Sequence, residues 1–201
     1  MATMVSSLNT IARRVPPWLI YAAVAIYVGW QFYLAATQSG RYLVEPINEL
    51  EREYGEMALK FIVLGLAISP LRRFTGVNVI LFRRAIGLCA FFLVVAHLLV
   101  WVLLDVQALG QVWAAIVKQP YVTLGMAGFF VAVPLAATSN NWSIRKLGPL
   151  RWRQLHKLTY AFAILGALHF VWLAKGFQIE PLMYLAVIIG LLVLRRVGQR
   201  Q

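Results

Sequence analysis

Six runs of apolar residues, each closed off by charged residues or proline, set the rhythm of this sequence. They cover positions 18–36, 57–71, 85–104, 121–138, 158–174 and 181–194. A helix needs about 20 predominantly apolar residues to cross a bilayer, and a snorkelling flank such as Lys60 extends a shorter run. The pattern predicts an all-α integral membrane bundle of six transmembrane helices. The first run is longer than the apolar core of a signal peptide, and its small residues, LAATQSG, make a poor cleavage site. It is expected to be a retained span.

The segments between the runs are polar and short. Residues 1–17 carry Arg13 and Arg14 and end at Pro16-Pro17, and are expected to form a cytoplasmic N-terminal segment. Residues 38–56 are expected to be a loop holding Glu45, Glu49, Glu51, Glu53 and Glu56. Pro70 is expected to close the second run just before Arg72 and Arg73, and Arg83 and Arg84 precede the third. Residues 105–119 read as a loop or interfacial segment. Pro120 suits the first turn of the fourth helix, which Pro134 interrupts. A basic loop at 139–157, a tight turn at 175–180 and a cytoplasmic tail at 195–201 complete the chain, leaving 18–194 as the membrane domain.

Composition strengthens this picture. The chain is 61% hydrophobic and 13% charged, with a mean hydropathy of +0.74, well outside the range of soluble domains. Six helices use up its length and leave no room for a soluble catalytic domain, so any chemistry belongs to a bound cofactor or a partner. The net charge of +12 does not point to nucleic acid, because the basic residues fall in short clusters between apolar runs. In a six-span arrangement fourteen of the 19 Lys and Arg residues share the side of the termini, while all seven acidic residues lie opposite. That bias predicts both termini in the cytoplasm. Trp18, Trp30, Trp101, Trp113 and Trp172 near the run ends read as an interfacial aromatic belt. A single cysteine, Cys89, excludes an internal disulfide and a cysteine-based zinc or iron–sulfur site.

The chemistry rests on three histidines. His97 and His169 lie in the third and fifth runs, about 20 Å and 18 Å from the flanking Arg84 and Lys157 at 1.5 Å per helical residue. They therefore match in depth on parallel helices. Intramembrane imidazoles are costly unless paired, and imidazole is a common axial ligand of haem iron. The simpler alternative is two unrelated histidines bonded to nearby hydroxyls or carbonyls; matched depth favours a haem between them. His156, at the cytoplasmic edge of the fifth run about 20 Å below His169, is a candidate for a second haem, a quinone or flavin site, or plain solvation. Most cytoplasmic arginines are topology determinants, with Arg83, Arg84, Arg151 and Arg153 as candidates for haem propionate or flavin phosphate contacts.

The segments GEMALKFIVLGLAISPLRR, RRAIGLCAFFLVVAHLLVW, QPYVTLGMAGFFVAVPLAATS and RKLGPLRWRQLHKLTYAFAILGALHFVW closely resemble the MsrQ family. These are haem-binding membrane subunits of bacterial methionine sulfoxide reductase systems, similar in their core to ferric-reductase-like transmembrane domains. The resemblance runs in order from about Gly55 to Trp172. It implies a b-type haem in the bundle, with the family's histidines falling on His97, His156 and His169. It implies FMN association, and electrons drawn from the quinone pool or a cytoplasmic flavin reductase. It further implies delivery to a periplasmic molybdenum-containing methionine sulfoxide reductase subunit (MsrP-like), with the chain in the bacterial inner membrane.

Two classes of function follow. The leading expectation is a non-catalytic electron-transfer subunit of an oxidoreductase complex, with Glu49, Glu51 and Glu53 orienting the partner. The alternatives are a small proton-coupled transporter, whose histidines would relay protons, and a cofactor-free membrane anchor. A transporter calls for carboxylates near the midplane, and the sequence places Asp105 and Glu180 only at span ends.

Overall fold

The computed structural model describes residues 2–174 and 177–197. Lys175 of the expected turn and residues 198–201 of the expected tail, Arg200 among them, lie outside the described residues. The described residues are helical and contain no strand. The helices are α1 (Ala2–Arg14), α2 (Trp18–Ala36), α3 (Pro46–Thr75), α4 (Arg83–Val100) and α5 (Leu109–Lys118). They continue as α6 (Pro120–Ala137), α7 (Asn141–Leu155), α8 (Leu158–Leu173) and α9 (Ile179–Val197).

The six apolar runs fall on α2, α3, α4, α6, α8 and α9. Among the described residues, four stretches are long and apolar enough to span a bilayer: Trp18–Leu43, Pro46–Thr75, Ile80–Val106 and Pro120–Ala137. Helix α8 is apolar but has only 16 residues, about 24 Å of rise. Large side chains such as Ile26, Phe92 and Phe130 are exposed, as lipid-facing positions are.

Several polar segments that read as loops are helical. Helix α3 begins at Pro46, so Glu49, Glu51, Glu53 and Glu56 sit on its first three turns rather than in a loop. It also runs through Pro70 to Thr75 and ends at Gly76, whose φ of +77° suits the left-handed cap. A proline inside a helix strips the carbonyl four residues earlier of its donor. Here Arg195 of α9 supplies that donor: its Nε reaches the Leu66 carbonyl at 2.9 Å, and Nη2 the Gly65 carbonyl at 2.9 Å. The basic segment at 139–157 is α7, bent where Gly148 adopts φ +76° just before Pro149. Residues 101–118 form a π-helical turn, Trp101–Val106, followed by the short helix α5.

Helix α3 is the hub, packing against α2, α4, α8 and α9. The main core brings together Leu59, Ile62, Leu66, Ala90, Ala163 and Ala167. A second cluster of Tyr42, Leu50, Tyr54 and Val100 ties α2 and the turn at Gly40–Leu43 to the start of α3. Glu53 is only 7% exposed there. Its carboxylate accepts from the Tyr27 hydroxyl and pairs with Arg41 Nη2 at 2.6 Å. A buried carboxylate needs that pairing, and Glu53 is therefore not free to meet a partner protein.

Candidate functional site

The two core hairpins position their histidines in the same way. In the first, α3 lies against α4, and His97 Nδ1 is 2.8 Å from the Glu51 carbonyl. In the second, α6 lies against α8, and His169 Nδ1 is 2.7 Å from the Tyr121 carbonyl. A carbonyl only accepts, so each Nδ1 carries the proton and donates it. The neutral ring then keeps its lone pair on Nε2, the arrangement that orients a metal-binding imidazole.

Space for each ring comes from a glycine one turn further along the facing helix. A Cβ at Gly55 would lie 3.1 Å from His97 Nδ1, and one at Gly125 would lie 2.9 Å from His169 Nδ1. Each glycine is four residues beyond the carbonyl its histidine bonds, so a single helical turn provides both the acceptor and the gap. Sequence reasoning missed this pairing. The available signal was a helix-interior glycine, which costs stability and calls for a packing reason.

The two rings meet across one cavity, with centroids 6.1 Å apart and planes at 76°. Two imidazoles on opposite sides of one iron, each bonded at about 2 Å, have ring centres about 6 Å apart. The separation fits a shared axial site. Among the described residues no group of three or more His, Cys, Asp or Glu could hold a bare ion. Two nitrogens suit an iron whose other ligands come from a macrocycle.

The cavity is amphiphilic along its length. Its inner walls are apolar, with Ile62, Phe129 and Phe162, while Glu51, Arg52 and Glu56 stand at the end where α3 begins. Arg52 is the cation of this lining among the described residues, 3.7 Å from Glu180 Oε2. Carboxyl groups therefore do line the cavity mouth, although the sequence pattern placed them in a loop.

His156 lies apart from this cavity, thirteen residues before His169 at the other end of α8. Its ring stacks on Trp152 at 3.9 Å, and Nε2 is 3.0 Å from Thr138 Oγ1. Thr138 donates its hydroxyl to the Pro134 carbonyl and Trp152 Nε1 donates to the Thr138 carbonyl, so the His156 ring is fixed rather than simply solvated. Burial, and secondarily the charge of Arg83, hold its pKa below the ordinary histidine value. The ring is accordingly neutral at pH 7. Arg84 donates to Asn141 Oδ1 at 2.7 Å, Arg153 to the Pro149 carbonyl at 3.3 Å, and Arg151 is exposed. Arg83, Arg84, Arg151 and Arg153 all sit at this second end, outside the lining of the His97–His169 cavity.

Residues 53–167 match the family described as ferric reductase like transmembrane component. The chain is 44% identical over 195 residues to the protein-methionine-sulfoxide reductase heme-binding subunit MsrQ of Agrobacterium fabrum, covering 95% of this chain and 89% of that protein. It is 41% identical to the proteins of the same name from Brucella ovis and Brucella anthropi. Those alignments cover 89% and 90% of this chain, and 80% and 81% of the two relatives.

Proposed function

We propose that this chain, which belongs to the MsrQ family of ferric-reductase-like transmembrane proteins, holds one b-type haem between His97 and His169 and serves as a membrane electron-transfer subunit. The observation that carries the proposal is the pair of imidazoles 6.1 Å apart across one cavity, each with Nδ1 committed to a carbonyl and so with the Nε2 lone pair free. When bound, the haem supplies a one-electron redox centre in a site that has no other. The chain itself fixes the ring tautomers, keeps water from the inner cavity with apolar walls, and offers Arg52 to the propionate edge at the polar mouth.

Electrons enter, in this reading, at the opposite end, from the quinone pool or a cytoplasmic flavin reductase. The aromatic-stacked His156 beside Arg83 and Arg84 suits a quinone or the FMN implied by the family resemblance. They leave at the His97–His169 end for a periplasmic, molybdenum-containing methionine sulfoxide reductase subunit. The protein purified from membranes should show the reduced-minus-oxidised spectrum of low-spin haem b at one haem per chain. A chain that binds no haem when supplied with it would overturn the proposal in favour of the transporter or anchor reading.

The same proposal places the chain in the bacterial inner membrane with six crossings, α8 and α9 included, and both termini cytoplasmic. Its support is the fourteen-to-five partition of basic residues about those crossings. A reporter active only in the periplasm, fused after Gln201, should stay silent, and one inserted in the 107–119 segment should be active. The reverse pattern would overturn the orientation.

A further inference from the structure

Helix α1 presents a face that nothing in the fold covers. Met4, Leu8 and Ile11 are 65%, 42% and 59% exposed. Their spacing of four and three residues at about 100° per residue gathers them into one narrow stripe. The helix is nevertheless anchored along a different side. Asn9 Nδ2 donates to the Gly76 carbonyl at 3.2 Å, and the Asn78 N–H donates to Asn9 Oδ1 at 2.7 Å. Next to it Val5 fills the space that a Cβ at Gly76 would approach to 3.4 Å. This two-point clamp on the α3–α4 connection holds α1 in a set orientation with its apolar stripe bare.

We propose that α1 lies in the plane of the membrane surface, its stripe in the acyl boundary and its basic end against anionic phospholipid headgroups. The stripe continues into the exposed apolar side of α2, where Trp18 and Leu19 are 61% and 42% exposed, so one apolar surface runs from helix to span. Arg13 and Arg14 in the last turn of α1 are exposed on the polar side of the helix, the arrangement that draws a surface helix to acidic lipid. A second copy packed in parallel is disfavoured as the occupant, because that pairing brings the two sets of arginines together at one end. Through the Asn9 clamp, the helix couples the headgroup layer to the connection that leads into α4.

The full chain in nanodiscs tests this, with single nitroxide labels at positions 4, 8, 11 and 10 in a Cys89→Ala background. Labels at 4, 8 and 11 should collide with lipid-dissolved oxygen, and the label at Thr10 on the opposite side with an aqueous nickel chelate. Phosphatidylglycerol should move the first three deeper than phosphatidylcholine alone does. In Leu8→Glu the label at position 4 should become accessible to nickel while the haem spectrum is kept. Nickel access at 4, 8 and 11 in the parent chain would overturn the proposal in favour of a water-facing helix. Exclusion of both reagents there would overturn it in favour of a protein partner, and identical depths in the two lipids would overturn the role given to the arginines.

Discussion

His97→Ala and His169→Ala should each strip most of the haem from the protein, and His156→Ala should leave that haem in place. Each of the first two replacements removes one of the two imidazoles that the described residues present to the cavity, so iron would keep a single protein ligand. Loss of an outer-shell partner already costs metal sites roughly 10–100-fold in affinity, and loss of a direct ligand should exceed that. His156 is held by Thr138 and Trp152 at the other end of α8. Its removal should instead slow reduction by a flavin or quinol donor. Spectra of the three purified variants in the reduced state decide the matter. Full low-spin haem in both His97→Ala and His169→Ala would place the site elsewhere. Total loss of haem from folded His156→Ala would make that residue a ligand.

Gly125→Ala should damage the site nearly as much as removing a ligand, although it adds only a methyl group. The new Cβ would sit 2.9 Å from His169 Nδ1 and 3.0 Å from Cε1. The ring can retreat only at the expense of a bond, because Nδ1 is tied to the Tyr121 carbonyl and, with haem in the cavity, Nε2 would be tied to iron. Either the hydrogen bond or the axial bond must lengthen, at an overpacking cost of about 1–3 kcal/mol. If felt wholly at the haem site, that corresponds to roughly a 5- to 150-fold loss of haem affinity, accompanied by a shift toward high-spin spectra. Gly55→Ala should act the same way but less severely, its contacts with His97 being 3.1 and 3.2 Å. Gly87→Ala on α4 is the control, since nothing lies within 4 Å of its Cβ. Relief of helix-interior glycine should stabilise that variant by about 0.5–1 kcal/mol. Haem titration and thermal melting in detergent report both quantities; an unchanged low-spin spectrum in Gly125→Ala would show that the ring has room.

How much of this was legible in the residues varies with the kind of interaction. The helices read well where apolar runs were long, because burying or lipid-facing apolar surface is a local demand that each run states for itself. Polar helices were missed. The acidic start of α3, the kinked α7 and the lead-in α1 all lack a continuous apolar run. Pro70 looked like a terminus because its missing donor is visible in the sequence. Arg195, which compensates for it, lies 125 residues away. Glu53 read as an outward charge, and only the approach of Tyr27 and Arg41 makes its burial tolerable.

By itself, the sequence determined the helical membrane class, the family, and the pair of histidines at equal depth. Each of these follows from residue identity and the fixed rise of a helix. The tertiary structure decided which atoms of those histidines face the cavity. The acceptors are the backbone carbonyls of Glu51 and Tyr121, and every residue has a carbonyl, so no side-chain pattern marks the chosen ones. It likewise selected Gly55 and Gly125 from fourteen glycines, because a ring seat exists only once a second helix arrives opposite the missing Cβ.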